Sequence, residues 1–396
     1  MTNPNRHPWQ LPDGIDELLP GAAAQVESLR RELLDCAARW GYQLVIPPML
    51  EFTDSLLVGA GEDLDLLTFK AADPLTGRML GVRADMTPQV ARMDAHSMRS
   101  SAVNRLCYAG STLHTRSRSL AASRSPLQLG AELYGDGSPW ADLEVIDLML
   151  CMLDAAGIDL GVELTLDIGH GDVFAHVLAA SGAPEAGIEA DIFDALQRKS
   201  RPDLEALCKQ LPAEGAEMVL ALLGMQGDLS TLDRAHACFA ARVPAIGEVI
   251  AQLRDLSEAL QKKYPMLSLY VDLAELRGYR YHTGVVFAVY AQGLGEALAR
   301  GGRYDNVGSA YGRARSATGF ATDLRLLAQL LSPAALAETA IAAPALEDDD
   351  LEAAISELRQ SGETVIRTLS GVADARCSRR LMQDQQGAWV CRAIDE

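Results

Sequence analysis

The sequence predicts an α+β fold: an antiparallel sheet flanked by helices, with a helical insertion and a small C-terminal α/β module. Three observations predict it. Alternating apolar runs at 164–168 and at Leu267, Leu269, Val271 and Leu273 stand on either side of a block, residues 171–264, that reads almost wholly as helix. A hairpin punctuated by proline and glycine precedes them. The acidic run Glu347-Asp348-Asp349-Asp350 sets off the C-terminal module.

Within residues 24–40, Val26, Leu29, Leu33, Leu34, Ala37 and Trp40 follow the helical period, so this segment is a helix with one buried face that Gly41 stops. Residues 42–46 read as a strand closed by Pro47 and Pro48, because proline lacks the ladder donor and restricts the residue before it. Residues 66–82 form the hairpin, its turn Asp73-Pro74-Leu75-Thr76-Gly77 using proline to preset φ and glycine to accept a positive one. Strands follow at 105–112 and 126–134, then a Leu- and Met-rich helix at 140–156 ended by Gly157. In the insertion, Ile246, Val249, Ile250, Leu253, Leu256 and Leu260 recur at heptad-like spacing. Strands resume at 267–273 and 283–290. The stretch 332–350 is poor in large apolar residues and is predicted to be a solvated acidic linker between a core at 1–331 and a reduced module at 351–396. In that module 351–359 reads as helix, 364–369 as strand, 374–385 as helix and 388–394 as strand.

Composition excludes several classes. A formal charge of −19 disfavours a polyanionic partner, since phosphate contacts dominate nucleic-acid affinity. No apolar run approaches the roughly 18 residues of a membrane span, and residues 1–12 are too polar for a signal peptide, so a soluble cytoplasmic protein is expected. The seven cysteines form no C-x-x-C pair, and His170 and His176 do not share a helical face; neither a disulfide framework nor a metal site is expected, and no cofactor.

Five blocks in a fixed order carry a resemblance: G-I-D-E-L-L-P from Gly14, R-A-D-M-T from Arg83, Q-L-G-A-E-L-Y-G from Gln128, R-G-Y-R-Y-H-T-G from Arg277 and G-G-R-Y-D-N from Gly301. Over roughly residues 13–330 the chain resembles the class II aminoacyl-tRNA synthetases, specifically the histidine enzyme. The resemblance implies a histidine pocket. Asp85 and Thr87 match residues that meet the ligand's α-amino group, with acceptors suited to an ammonium. Gln128 and Glu132, four apart on one strand face, match residues that approach the amino group and the imidazole. Arg277 matches the arginine on the carboxylate, and Tyr281 and His282 stand where two tyrosines flank the ring; His282 departs from that pattern.

The nucleotide side departs further. Where the synthetases present an arginine and a glutamate to ATP, this chain has His114 and Arg116, and the arginine expected on the γ-phosphate is replaced by Leu326. Arg325 is adjacent, but one residue along a helix turns a side chain by about 100°. The loop 116–125, rich in Ser, Ala and Arg, reads as a mobile surface loop in preference to the alternative, a phosphate-binding one. Residues 331–396 carry six basic and twelve acidic side chains and are about half the expected length of an anticodon-binding domain, unfavourable for gripping tRNA.

A synthetase-like core without these ATP contacts resembles the regulatory subunits of ATP phosphoribosyltransferase. That resemblance implies a protein with no catalytic residues of its own, assembled as a homodimer with a short-form catalytic subunit in the first step of histidine biosynthesis, and conveying feedback by histidine. An active histidyl-tRNA synthetase and a stand-alone histidine-sensing module are the alternatives.

Overall fold

The computed structural model describes residues 9–58, 62–117, 123–161, 164–182, 186–274, 282–331, 340–369, 371–372 and 374–394. The chain divides into two compact units, Met1–Glu17 with Val26–Leu331 and Leu18–Gln25 with Ser332–Glu396.

Strands of the first unit are β1 (Gln43–Leu44), β2 (Leu50–Phe52), β3 (Phe69–Ala72), β4 (Met79–Val82), β5 (Asn104–Ser111), β6 (Leu127–Tyr134), β7 (Leu164–His170), β8 (Gln226–Gly227), β9 (Ser268–Asp272), β10 (Val285–Ala291), β11 (Ala297–Arg303) and β12 (Ala317–Asp323). Nine of them form one sheet in the order β1-β5-β6-β12-β11-β10-β7-β9-β8, and β2-β4-β3 form a side sheet. The large sheet is antiparallel except at β1/β5 and β7/β9. Both exceptions are crossovers, which parallel pairing requires: the side sheet with its helices lies in one, the helical insertion in the other.

The hairpin forms as its turn residues dictate, with the Asp73 carboxylate accepting from the Leu75 N–H at 3.0 Å and Gly77 at φ +72°. Helix Pro20–Arg39 buries Val26, Leu29, Leu33, Cys36 and Ala37, and helix Pro139–Ala155 buries most of its residues, among them the run Val145–Leu150, before Gly157 at φ +84°. In the insertion, helix Pro244–Lys263 buries the heptad-like set Ile246, Val249, Ile250, Leu253, Leu256 and Leu260. Among the described residues no helix is long and apolar enough to cross a membrane.

The second unit holds β13 (Ala340–Pro344), β14 (Val365–Thr368), β15 (Cys377–Gln383) and β16 (Trp389–Ala393), ordered β14-β13-β15-β16, with helix Asp349–Gln360 packed on one face. Two expectations are corrected here. The stretch 332–350 is not a linker throughout: β13 lies inside it as a central strand, and its small residues fit because both faces are covered. Its acidic run caps the helix, where Asp348 accepts from the Leu351 N–H at 2.7 Å and Asp349 and Asp350 sit in the first turn, favourable positions for negative charge. Residues 374–385 are not helical. A register shift opposite Ala340 and Ile341 places Cys377 and Leu381 in clusters on opposite faces of the sheet, so two buried residues four apart imitate a helical turn.

Candidate functional site

The site is assembled where β4, β5, β6, β11 and β12 meet. After β4, the buried Arg83 guanidinium donates from Nε to the Ser111 carbonyl at 2.9 Å and from Nη1 to the Pro47 carbonyl at 2.7 Å, fixing the backbone that follows. Helix Thr87–Arg92 then starts with proline in its first turn. Between them Asp85 accepts from the Thr87 N–H at 2.9 Å and from Gln128 Nε2 at 2.8 Å, while Gln128 Oε1 accepts from the Met86 N–H at 2.9 Å. Gln128 is thereby oriented with its amide oxygen on the main chain and its NH2 on the acid.

Four positions along β6, and so on the same face, stands Glu132, 1% exposed. Tyr108 donates to its Oε1 at 2.9 Å, and Tyr304 donates to its Oε2. Each tyrosine has a second hydroxyl beside it: Thr87 Oγ1 lies 3.0 Å from Tyr108, and the Tyr134 hydroxyl 3.2 Å from Tyr304. Burial pushes the Glu132 carboxyl up to about 8; the hydroxyl donors pull it down, and the charge of Asp85 adds to the rise.

Glycines make room for these groups. A Cβ at Gly130 would overlap the Tyr108 hydroxyl, and one at Gly319 would overlap the Glu132 carboxylate. Gly319 pairs across the ladder with Gly302, where an added Cβ would come within 2.8 Å of His282 Nδ1. Glu132 and His282 therefore lie over one glycine floor on the same face of the sheet. Burial holds the His282 imidazole down, at about 4, so its ring is neutral; Nδ1 lies 3.3 Å from the Arg303 carbonyl. The Arg303 side chain turns away, and with only 7% of it exposed it reaches Asp142 at 3.1 Å and the Asp136 and Ser138 carbonyls.

Of the residues expected to bind, Asp85, Thr87, Gln128 and Glu132 come together in one network, and His282 shares their floor. Arg277 and Tyr281 lie outside the described residues. Sequence reasoning assigned no role to Tyr108, Tyr134, Tyr304 or Gly319, although Tyr304 stands inside the quoted G-G-R-Y-D-N block. An unassigned tyrosine in a motif next to an expected buried carboxylate was the available signal.

On the other side, His114 is buried, with Nε2 2.9 Å from the Ala84 carbonyl, and Arg116 is exposed. Arg124 is tied to backbone, donating to the carbonyls of His114 at 3.0 Å and Asp13 at 2.9 Å. Arg325 pairs with Asp16 at 2.6 Å, and Leu326 follows it, partly buried. Arg118 lies outside the described residues.

Residues 14–327 match the family described as histidyl-tRNA synthetase, and residues 338–392 match the one described as ATP phosphoribosyltransferase subunit HisZ C-terminal domain. A curated relative from Thioalkalivibrio sulfidiphilus, the ATP phosphoribosyltransferase regulatory subunit, is 48% identical over 98% of this chain and 99% of its own length. Among solved structures, an ATP phosphoribosyltransferase regulatory subunit/histidyl-tRNA synthetase from Bacillus halodurans superposes with a TM-score of 0.79 at 28% identity, covering 94% of this chain and 96% of that one. Histidyl-tRNA synthetase from Nostoc gives 0.76 at 16% identity over 98% of each chain, a likeness of fold.

Proposed function

Because the chain belongs to the family of ATP phosphoribosyltransferase regulatory subunits, we propose that it holds histidine in the pocket around Glu132 and passes that occupancy to a separate catalytic chain, with no chemistry of its own. The observation that carries this reading is the contrast between the two halves of the site. Toward the amino acid, Asp85, held in place by Gln128, joins Thr87 and Glu132 in an oriented set of acceptors fit for an ammonium and a ring N–H. Toward the nucleotide, adenylate formation needs positive charge set where it develops on the α-phosphate, and here His114 faces a carbonyl while Arg325 is engaged by Asp16.

The partner is a short-form catalytic subunit that needs this chain for the first step of histidine biosynthesis. Histidine acts as effector by binding two assembly states unequally, a coupling of typically about 1 to 3 kcal/mol. Leu44, Ile46 and Leu50, each at least half exposed at the β1 edge and just beyond it, form an apolar margin for a homodimer. The acidic second unit is unsuited to tRNA.

Alone, the purified chain should give no histidine-dependent exchange of pyrophosphate into ATP; mixed with a short-form catalytic subunit it should confer or raise ATP phosphoribosyltransferase activity. Robust adenylate formation by the isolated chain would overturn this assignment. Glu132→Ala should weaken histidine binding by about ten- to more than a hundredfold, the loss of one charged hydrogen bond, and should blunt feedback inhibition in parallel. Calorimetry and inhibition curves test this together. Binding lost with inhibition unchanged would put the feedback site elsewhere in the complex.

A further inference from the structure

The hydroxyl pairs around Glu132 let the network hold either charge state of the acid. With Glu132 ionised, Tyr108 and Tyr304 both donate to it. With Glu132 protonated, its own O–H must find an acceptor. Tyr304 can accept it and turn its hydrogen to Tyr134 at 3.2 Å, or Tyr108 can do so and turn to Thr87 at 3.0 Å. An isolated buried carboxylate has no such alternative. Among the described residues neither lysine nor arginine pairs with Glu132; the titratable groups around it are Asp85 from the segment after β4, whose charge acts on it, Tyr108 on β5 and Tyr304 after β11, which donate to it, Tyr134 on β6, Tyr42 before β1, and the neutral His282 over the same glycine floor.

We propose that Tyr304 is a positioning residue that sets the charge of Glu132, so that the pocket takes an N–H-donating amino-acid ligand in exchange for a proton. The inference rests on the reading that histidine binds this pocket. Glu132 is closed to solvent and both its oxygens are engaged, so an arriving N–H takes the place of a hydroxyl. Tyr304 is the hydroxyl that can leave: like Tyr108 with Thr87 it has a second hydroxyl, Tyr134, to turn to, and it stands after the end of β11, whereas Tyr108 is held within β5. As the ligand's N–H meets Oε2, the O–H bond of the Glu132 carboxyl breaks and its proton passes to solvent. The ionised acid then faces the donor, and the ligand keeps its own protons. Nothing is oxidised or reduced. The carboxyl value near 8 supports the same reading: at pH 7 most of the empty pocket carries the proton, and the apparent affinity is the intrinsic one multiplied by the small ionised fraction.

Calorimetry of histidine binding to the full chain, run at each pH in two buffers of different ionisation enthalpy, counts the protons exchanged. The wild-type chain should release close to one proton per histidine at pH 7, and its affinity should rise about fivefold between pH 7 and pH 8. Tyr304→Phe keeps the ring but removes a donor that favours the ionised acid. Its proton-release profile should move upward by about one pH unit, and Tyr108→Phe should move it the same way. The titration of histidine itself is common to all three proteins and cancels. A purely structural Tyr304 would lower the melting temperature and leave the profile in place, which would overturn the inference. So would binding by the wild-type chain at pH 7 without proton release, a measurement that needs no variant. No binding by the wild-type chain at any pH would instead remove the pocket's proposed role, and the inference with it.

Discussion

Arg303→Met should destabilise the chain by about 3 to 5 kcal/mol, measured by chemical denaturation at pH 7, because it leaves the Asp142 carboxylate buried without its cation. The side chains of Arg303 and Asp142 are only 7% and 2% exposed, and Asp142 sits in the first turn of helix Pro139–Ala155, so neither relaxes into water. Burial raises the Asp142 carboxyl, and Arg303 opposes that rise, the signature of an acid that depends on its partner. Replacing both at once, Arg303→Met with Asp142→Leu, should recover most of the loss, since two apolar side chains of similar volume remove both desolvation costs. A single-variant loss under about 1 kcal/mol would mean that water reaches the pair. The arginine of G-G-R-Y-D-N thus anchors the end of β11 and so the approach of Tyr304 to Glu132.

Gly319→Ala should lower histidine affinity by a hundredfold or more while costing about 1 to 3 kcal/mol of stability, the usual range for overpacking. The added methyl would occupy the position of the Glu132 carboxylate, with the Ala131 carbonyl on its other side, so the acid must swing off its two tyrosines. Histidine calorimetry beside thermal unfolding separates the two effects. Unchanged affinity in a folded Gly319→Ala chain would place the ligand away from Glu132.

Much of the fold was legible because its elements obey local rules. The helix at 20–39, the hairpin at 69–82 and helix 244–263 follow period and punctuation that tertiary packing reinforces. The misreadings fall in the second unit, where local pattern and packing disagree: β13 holds one large apolar residue, Ile341, among alanines that look like linker until both faces are covered, and a shifted register in β15 makes a strand look helical. For the site, Asp85, Thr87, Gln128 and Glu132 were readable because each lies in a quoted motif, and Gln128 and Glu132 have a spacing that strand geometry puts on one face. Tyr108 and Tyr304 were not. Their importance comes from hydroxyls that reach Glu132 from the adjacent strand β5 and from the segment after β11, and no period within one strand encodes what lies beside it.

The seam between β6 and β12 carries a kinetic consequence. Glu132 meets a tyrosine 172 residues away in the chain, and the intervening sequence contains the helical insertion and strands β7, β9, β10 and β11. Contacts of such long range are usually among the last to form, because their loop-closure entropy is repaid only after the shorter loops are in place. The pocket is thus expected to lie outside the folding nucleus, and substitutions in it should act mainly on the unfolding rate, which folding and unfolding kinetics of Gly319→Ala would check. A ligand that bridges the seam should slow the escape of a chain already folded and leave its arrival unhurried, so occupancy of the pocket is expected to prolong the lifetime of the native chain.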